Sequence, residues 1–181
     1  MAGRKNRISP AGALALVGIS AATVECGKLV LMVFPNVEVV TLLLALYGYV
    51  FGALGVLAAV VFVCIEPLIW GFGPWVISYI IYWPFVALTF WLLRIAKVKN
   101  RWLLTGVAVA MTFLFGVLSS LVDVGLFTGF FENFISRFAV YYARGAVFYA
   151  VQTVSNAVLF PLLFVFLSER LSRIKRSLYR G

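Results

Sequence analysis

Glu25 and Lys28 are the residues best suited to chemistry in this chain, because they are two opposite charges within an otherwise apolar stretch from Ala11 to Phe34. Residues three positions apart lie on the same side of a helix, so the two side chains can reach the same space. A charge in an apolar segment is costly, and such residues usually face a cavity or one another. The pair therefore indicates either a binding site or an ion pair that serves the fold.

Other polar side chains stand in comparable apolar surroundings. Tyr149, Gln152 and Asn156 are spaced by three and four residues in a second apolar stretch. An amide there can hydrogen-bond to a neighbouring helix or orient a ring-containing ligand in an apolar pocket. Trp75 closes the segment GFGPW, and Asp123 ends a long apolar run. We predict that one set of residues binds substrate: Glu25, Lys28, Trp75, Asp123, Tyr149, Gln152 and Asn156.

The residue types argue against catalysis and against metal binding. The chain contains no histidine, which is the commonest metal ligand and general base. Cys26 and Cys64 lie in apolar segments and lack the spacing of metal ligands. No nucleophile stands at a useful spacing from a base. We therefore expect no enzyme, no metal and no cofactor.

The elements that must position these side chains follow from composition. Of the 181 residues, 64% are hydrophobic and 12% are charged, too few polar groups to cover a water-soluble domain. A bilayer core of about 30 Å takes about 20 apolar residues per helix. We predict an all-α integral membrane protein, a six-transmembrane-helix bundle forming one domain over residues 1–181. Its spans are expected at about 10–34, 37–52, 53–68, 76–93, 102–122 and 146–167.

Two segments allow alternative structures. The glycine-rich stretch GYVFGALG, residues 48–55, predicts a tight turn between the second and third spans; if residues 37–68 are re-entrant, the span count falls to four. Residues 129–144 carry aromatic side chains at helical spacing, which predicts either an amphipathic helix on the outer surface or an extension of the fifth span. Pro84 and Pro161 predict kinks.

The basic residues predict orientation. The net charge of +9 would suit nucleic acid in a soluble protein, but most basic residues stand in three clusters that flank apolar segments, so we expect no nucleic-acid partner. The rule that basic loops stay inside places both termini in the cytoplasm of a multi-pass protein of the cell membrane. Most other charges then fall near the outer side, which indicates a polar site open to the outside. The clusters are Arg4, Lys5 and Arg7; Arg94, Lys97, Lys99 and Arg101; and Arg170, Arg173, Lys175, Arg176 and Arg180.

Two stretches carry a resemblance to a known family. PNVEVVTLLLALYGYVFGALG (35–55), followed by GFGPW (71–75), resembles the substrate-binding S components of energy-coupling factor (ECF) vitamin transporters. The resemblance implies a six-helix subunit that captures a micronutrient from outside, with riboflavin and cobalamin among the candidates. It also implies a transmembrane coupling subunit and two cytoplasmic ATPase subunits as partners. In that family an alanine-x-x-x-alanine face of the first helix contacts the coupling subunit, which corresponds to Ala11 and Ala15 here.

Other functions are compatible with the same sequence. The chain has no GxxxxGK[ST] phosphate-binding loop, so ATP hydrolysis would have to come from partners. A membrane scaffold or accessory subunit without transport activity would also use exposed small residues to hold partners. A self-sufficient secondary carrier would typically show polar residues at mid-membrane and an internal repeat, whereas the charges here are predicted on one side.

Overall fold

The computed structural model describes residues 8–178, which form helices joined by short turns, without a strand. The prediction of an all-α protein is confirmed for this part of the chain. A π-helical turn at Phe160–Phe164 joins the last two helices, so that residues 134–178 form one continuous helix. The helices are α1 (Pro10–Leu31), α2 (Val40–Phe51), α3 (Ala53–Trp70), α4 (Trp75–Ile95), α5 (Arg101–Phe127), α6 (Phe134–Leu159) and α7 (Val165–Leu178).

Local capping fixes where α1 and α5 begin. The Ser9 hydroxyl accepts a hydrogen bond from the backbone N–H of Gly12, and Pro10 occupies the first helical position of α1. The side chain of Asn100 accepts hydrogen bonds from the backbone N–H groups of Trp102 and Leu103 at the start of α5. Such caps satisfy N–H groups that have no partner inside the helix. The start of α1 predicted from Ser9-Pro10 is therefore confirmed.

α2 is the central helix of the bundle. It contacts every other helix, and all of its residues except Leu43 are buried. A short run of almost continuously apolar residues is what a helix enclosed on all sides requires. The other helices therefore pack around α2.

Glycines allow the close approach of α2 to its neighbours. Gly52, with a φ of +66°, makes the turn from α2 to α3, as the glycine-rich stretch predicts. A Cβ atom on Gly48 would lie 2.0 Å from the carbonyl oxygen of Ala87 in α4. A Cβ atom on Gly55 would lie 2.1 Å from the carbonyl oxygen of Tyr47. The backbone of α2 thus lies against other backbone atoms on two of its sides. Only glycine, which lacks a side chain, permits such close approach.

Helix length separates α2 from the other helices. Within residues 8–178, five helices are long and apolar enough to cross a membrane: α1, α3, α4, α5 and the continuous helix 134–178. α2 has 12 residues and is therefore about 18 Å long, shorter than the hydrocarbon core of about 30 Å. α2 begins at Val40, three residues after the predicted start of the span 37–52, because residues 34–39 form a bend, a turn and irregular chain.

The aromatic segment before the sixth span begins the last long helix. α5 ends at Phe127, later than predicted, and Gly129 and Asn133 adopt positive φ values of 72° and 59° that turn the chain. The next helix starts at Phe134 and continues without a break through the predicted sixth span. Residues 134–144 are thus neither a separate helix nor an extension of α5.

The periodic aromatic residues of α6 pack on α5. Phe134, Phe138 and Tyr142 follow one another along the helix, with successive ring centroids 6.1 and 6.0 Å apart. The Tyr142 ring also lies 6.1 Å from that of Phe113 in α5. The helical periodicity of these aromatic residues therefore marks a face that packs on another helix. Sequence alone cannot distinguish such a face from one that lies on a membrane.

Pro161 changes the helix type and does not end the helix. It lies in the π-helical turn Phe160–Phe164. Proline has no N–H and its ring clashes with the carbonyl four residues earlier, so the wider turn accommodates it. Pro84 lies inside α4, which continues on both sides of it.

The outer surface of the bundle is apolar. Large hydrophobic side chains are exposed on the long helices, among them Leu14 at 76% and Val147 at 71%. Ala11 and Ala15 are also exposed on α1, on the side of the helix opposite its buried residues. Soluble proteins rarely present so much contiguous apolar surface to water.

Candidate functional site

A cavity of about 330 Å³ lies at the end of the bundle where α2 begins. α2 and α3 both extend away from the turn at Gly52. α2 has 12 residues and α3 has 18, so α2 reaches about 9 Å less far from that turn. Because α2 is shorter, a space remains above its first turn, and the longer helices enclose this space. The cavity is lined by Lys28, Leu31, Met32, Phe34, Asn36, Val37, Glu38, Val40, Phe62, Trp70, Tyr79, Trp83 and Gln152.

Aromatic side chains form much of the cavity wall. The rings of Tyr79 and Trp83, one helical turn apart on α4, meet edge to face with centroids 5.4 Å apart. Trp83 also meets Phe62 of α3 edge to face at 6.3 Å. Such contacts hold each ring in a fixed orientation. The indole Nε1 of Trp83 is buried and has no hydrogen-bond partner among the described residues.

Lys28 is held in the wall by Glu66 of α3. Its Nζ lies 2.6 Å from Oε1 and 2.5 Å from Oε2 of Glu66, a side chain that is 1% exposed. The same ammonium lies 4.8 Å from the centre of the Trp70 ring, within cation–π distance. Lys28 is therefore paired across two helices, with Glu66, and not with Glu25 on its own helix.

Glu25 stands next to this pair. Its Oε1 accepts a hydrogen bond from the indole N–H of Trp70 at 3.4 Å, whereas its buried Oε2 has no partner among the described residues. The carboxyl group of Glu66 lies near that of Glu25. Two carboxyl groups thus lie close together beside the cavity, and within residues 8–178 Lys28 forms an ion pair with that of Glu66.

A second polar network fixes the floor of the cavity. The carboxylate of Glu38 accepts hydrogen bonds from the backbone N–H of Thr41 at 3.0 Å and from the Thr41 hydroxyl at 2.5 Å. It also accepts one from Nδ2 of Asn156 at 2.8 Å. The same Nδ2 lies 3.0 Å from the hydroxyl oxygen of Thr112 in α5. Asn156 is fully buried, so the network joins the start of α2 to α5 and α6.

Two of the predicted site residues line the cavity and others support its walls. Lys28 and Gln152 line it. Glu25 hydrogen-bonds to the lining residue Trp70, and Asn156 hydrogen-bonds to the lining residue Glu38.

The remaining predicted residues lie farther from the cavity. The Trp75 ring meets that of the lining residue Tyr79 at 5.0 Å. Tyr149 contacts Phe115, whose ring in turn contacts Tyr79. Asp123, half-buried near the end of α5, does not line the cavity. Its carboxyl group interacts electrostatically with Arg144 of α6.

Several lining residues were absent from the predicted site. They are Phe34, Asn36, Glu38, Phe62, Trp70, Tyr79 and Trp83. A signal existed for two of them, because Tyr79 and Trp83 follow Trp75 at four-residue spacing and so share one face of α4. No sequence pattern predicts the role of Glu66, because only the packing of α3 against α1 brings it to Lys28.

Comparisons of this chain with known protein families, with curated proteins and with solved structures find no match.

Proposed function

We propose that this chain is the substrate-specific membrane subunit of an ECF-type ABC importer, which captures a vitamin-like solute on the outer face of the cell membrane. The observation that carries the proposal is the cavity above α2, where aromatic walls surround a few polar side chains: Lys28, Asn36, Glu38 and Gln152. That combination is typical of small-molecule sites, in which apolar contacts give affinity and a few polar groups fix orientation.

Charge distribution supports the orientation. The cavity lies at the N-terminal end of α2, whereas Arg94, Lys99 and Arg176 surround the opposite, C-terminal end of that helix. With the basic end in the cytoplasm, the cavity opens to the outside. The shortness of α2 is compatible with insertion, because α2 is enclosed by other helices and residues of the irregular segment before it, among them Asn36 and Glu38, line a cavity.

Cavity size restricts the solute. A volume of about 330 Å³ is near the lower limit of sites for drug-sized ligands. It favours a flat molecule of a few fused rings, such as riboflavin, over a corrinoid macrocycle such as cobalamin. The aromatic rings of Trp70, Tyr79 and Trp83 offer faces and edges against which a flat solute can pack.

Replacement of Gln152 by leucine tests the cavity as a binding site. The side chain lines the cavity and makes no hydrogen bond within the described residues, so the change should leave folding intact. Loss of a polar contact to the ligand costs about 1–3 kcal/mol, so affinity should fall roughly tenfold to a hundredfold. Binding is measured by calorimetric titration of the purified chain with a solute identified by mass spectrometry of co-purifying small molecules.

Glu132→Gln is the control for this experiment, because Glu132 is exposed in the turn between α5 and α6, away from the cavity. Asn156→Leu is a second comparison: it should lower both thermal stability and affinity, since Asn156 holds Glu38 in place but does not line the cavity. Normal affinity in Gln152→Leu, with intact folding, would place the binding site elsewhere. Failure of the folded wild-type chain to bind any vitamin would favour a scaffold without transport activity.

Replacement of Ala15 by tryptophan tests association with the coupling subunit. Ala11 and Ala15 are exposed on α1, so a larger side chain at Ala15 should be tolerated by the isolated chain. It should prevent close approach of a partner helix and reduce assembly with the coupling subunit and the two ATPase subunits severalfold or more. Assembly is measured by co-purification, with Leu14→Trp as control, since Leu14 is exposed and already large. Equal assembly of the Ala15→Trp and wild-type chains would exclude this face as the interface.

A further inference from the structure

A second cavity region lies at the opposite end of the bundle and is strongly basic. One cavity of about 330 Å³ is bounded by α2, the end of α4, the start of α5 and α7. A neighbouring cavity of about 450 Å³ shares Tyr49, Arg94, Ser172 and Arg176 with it. The basic residues that line the first cavity are Arg94, Lys99, Arg173 and Arg176, and the acidic one is Glu169.

Among the described residues, the four basic side chains of the first cavity outnumber its single acidic side chain, Glu169. Within residues 8–178 the sole ion pair is Lys28–Glu66, so none of the four basic side chains of the first cavity pairs with a carboxylate there. Lys175, which lines the second cavity and donates a hydrogen bond to the backbone oxygen of Val50, is close enough to Arg94 for their charges to repel each other. A group of like charges around a concave surface attracts an anion.

Contacts within the protein hold Tyr49 and Arg94 in place at the base of this region. Tyr49 is buried, and its hydroxyl donates a hydrogen bond to the backbone oxygen of Val98 at 2.7 Å. The guanidinium of Arg94 lies 5.0 Å from the centre of the Tyr49 ring, which holds it at the boundary between the two cavities. Ser172, which carries a hydroxyl group, lines both cavities. Guanidinium and hydroxyl groups in this arrangement suit a phosphate.

The surroundings indicate a lipid phosphate. The second cavity is also lined by Val50, Trp91 and Ile95. Next to it, Leu92 and Ile95 of α4 are 54% and 61% exposed, so the apolar outer surface of the bundle begins at the cavity. A soluble phosphate compound would leave this surface uncovered, whereas the acyl chains of a phospholipid would cover it.

We propose that the juxtaposition of Arg94, Lys99, Arg173 and Arg176 with the apolar lining of Trp91 and Ile95 forms a binding site for the headgroup of an anionic phospholipid. The phosphate lies in the first cavity, near Arg94 and Arg176, and the glycerol and acyl chains leave along α4. Basic pockets between helices at the cytoplasmic side commonly take such headgroups. This site is separate from the solute cavity and does not depend on the transport proposal.

The test is native mass spectrometry of the full chain in detergent, titrated with dioleoylphosphatidylglycerol or with dioleoylphosphatidylcholine. The variant Arg94→Gln/Arg176→Gln removes two charges that line both cavities. The matched control Lys97→Gln/Arg101→Gln removes two exposed charges from the same end of the bundle that line neither. We expect the wild type to prefer phosphatidylglycerol, the variant to lose roughly tenfold to thirtyfold in affinity for it, and the control to lose less than about threefold.

Several outcomes would overturn the proposal. Equal losses in the variant and the control would mean that the charges attract lipid without a site. Equal binding of phosphatidylcholine would exclude recognition of an anion. Complete displacement of phosphatidylglycerol by millimolar inorganic phosphate or by an oligoglutamate peptide would assign the cavity to a soluble phosphate or to an acidic protein segment. If Arg94→Gln impairs folding through loss of its contact with Tyr49, the single variants Arg173→Gln and Arg176→Gln, each expected to lose about fivefold, replace it.

Discussion

Replacing Lys28 by methionine should destabilise the isolated chain strongly and should also abolish solute binding. The change leaves the carboxylate of Glu66, which is 1% exposed, without its lysine partner and next to the carboxyl group of Glu25. Removing one partner of a buried ion pair costs about 3–5 kcal/mol, because the remaining charge stays in an apolar environment. The measurement is the midpoint of thermal unfolding in detergent.

Two further variants separate the charge effect from other causes. Lys97→Met, which removes an exposed lysine, should leave the midpoint nearly unchanged. The double variant Lys28→Met/Glu66→Leu should recover much of the stability, because a buried ion pair can be replaced by packed apolar side chains at little cost. It should nevertheless not recover binding if Lys28 contacts the solute. A double variant as unstable as Lys28→Met alone would show that the two side chains do not act as a pair.

Replacing Gly48 by alanine should destabilise the fold by about 3 kcal/mol or more. The new methyl group would lie 2.0 Å from the carbonyl oxygen of Ala87, and its neighbours there are backbone atoms that cannot rotate away. α2 and α4 would have to separate, which disrupts packing at the centre of the bundle. Gly55→Ala, whose methyl group would meet the backbone of Tyr47, should have a similar effect. Thermal unfolding and the fraction of protein that elutes as one species from a size-exclusion column provide the measurement.

The chain supplies matched controls for this change. A Cβ atom on Gly18 or on Gly106 would have no heavy atom within 4 Å, although both glycines also lie in helices. Alanine favours a helix over glycine by about 1 kcal/mol, so Gly18→Ala and Gly106→Ala should leave the chain equally or more stable. If Gly48→Ala behaves like these two variants, the close approach of α2 to α4 is not what holds the centre of the bundle together.

Much of the fold could be predicted from sequence, because local chemistry determines it. Ser9 and Pro10 mark the start of α1, and Gly52 makes the turn between two apolar runs. Composition alone predicts helices long and apolar enough to cross a membrane, and five are present among residues 8–178. The sequence also predicts Lys28 and Gln152 as site residues, because polar residues are rare within apolar helices. Both line the cavity.

The tertiary structure decided which of these residues meet. Lys28 pairs with Glu66, 38 positions away, and Glu38 pairs with Asn156, 118 positions away; no periodicity within one helix encodes such contacts. The aromatic face of residues 134–142 could equally have met a membrane surface, and only its packing on α5 settles the matter. The cavity itself results from the difference in length between α2 and α3. It forms only because longer helices enclose the shorter one. Sequence patterns record what each segment must bury, whereas the partner that buries it is fixed by the packing of the whole chain.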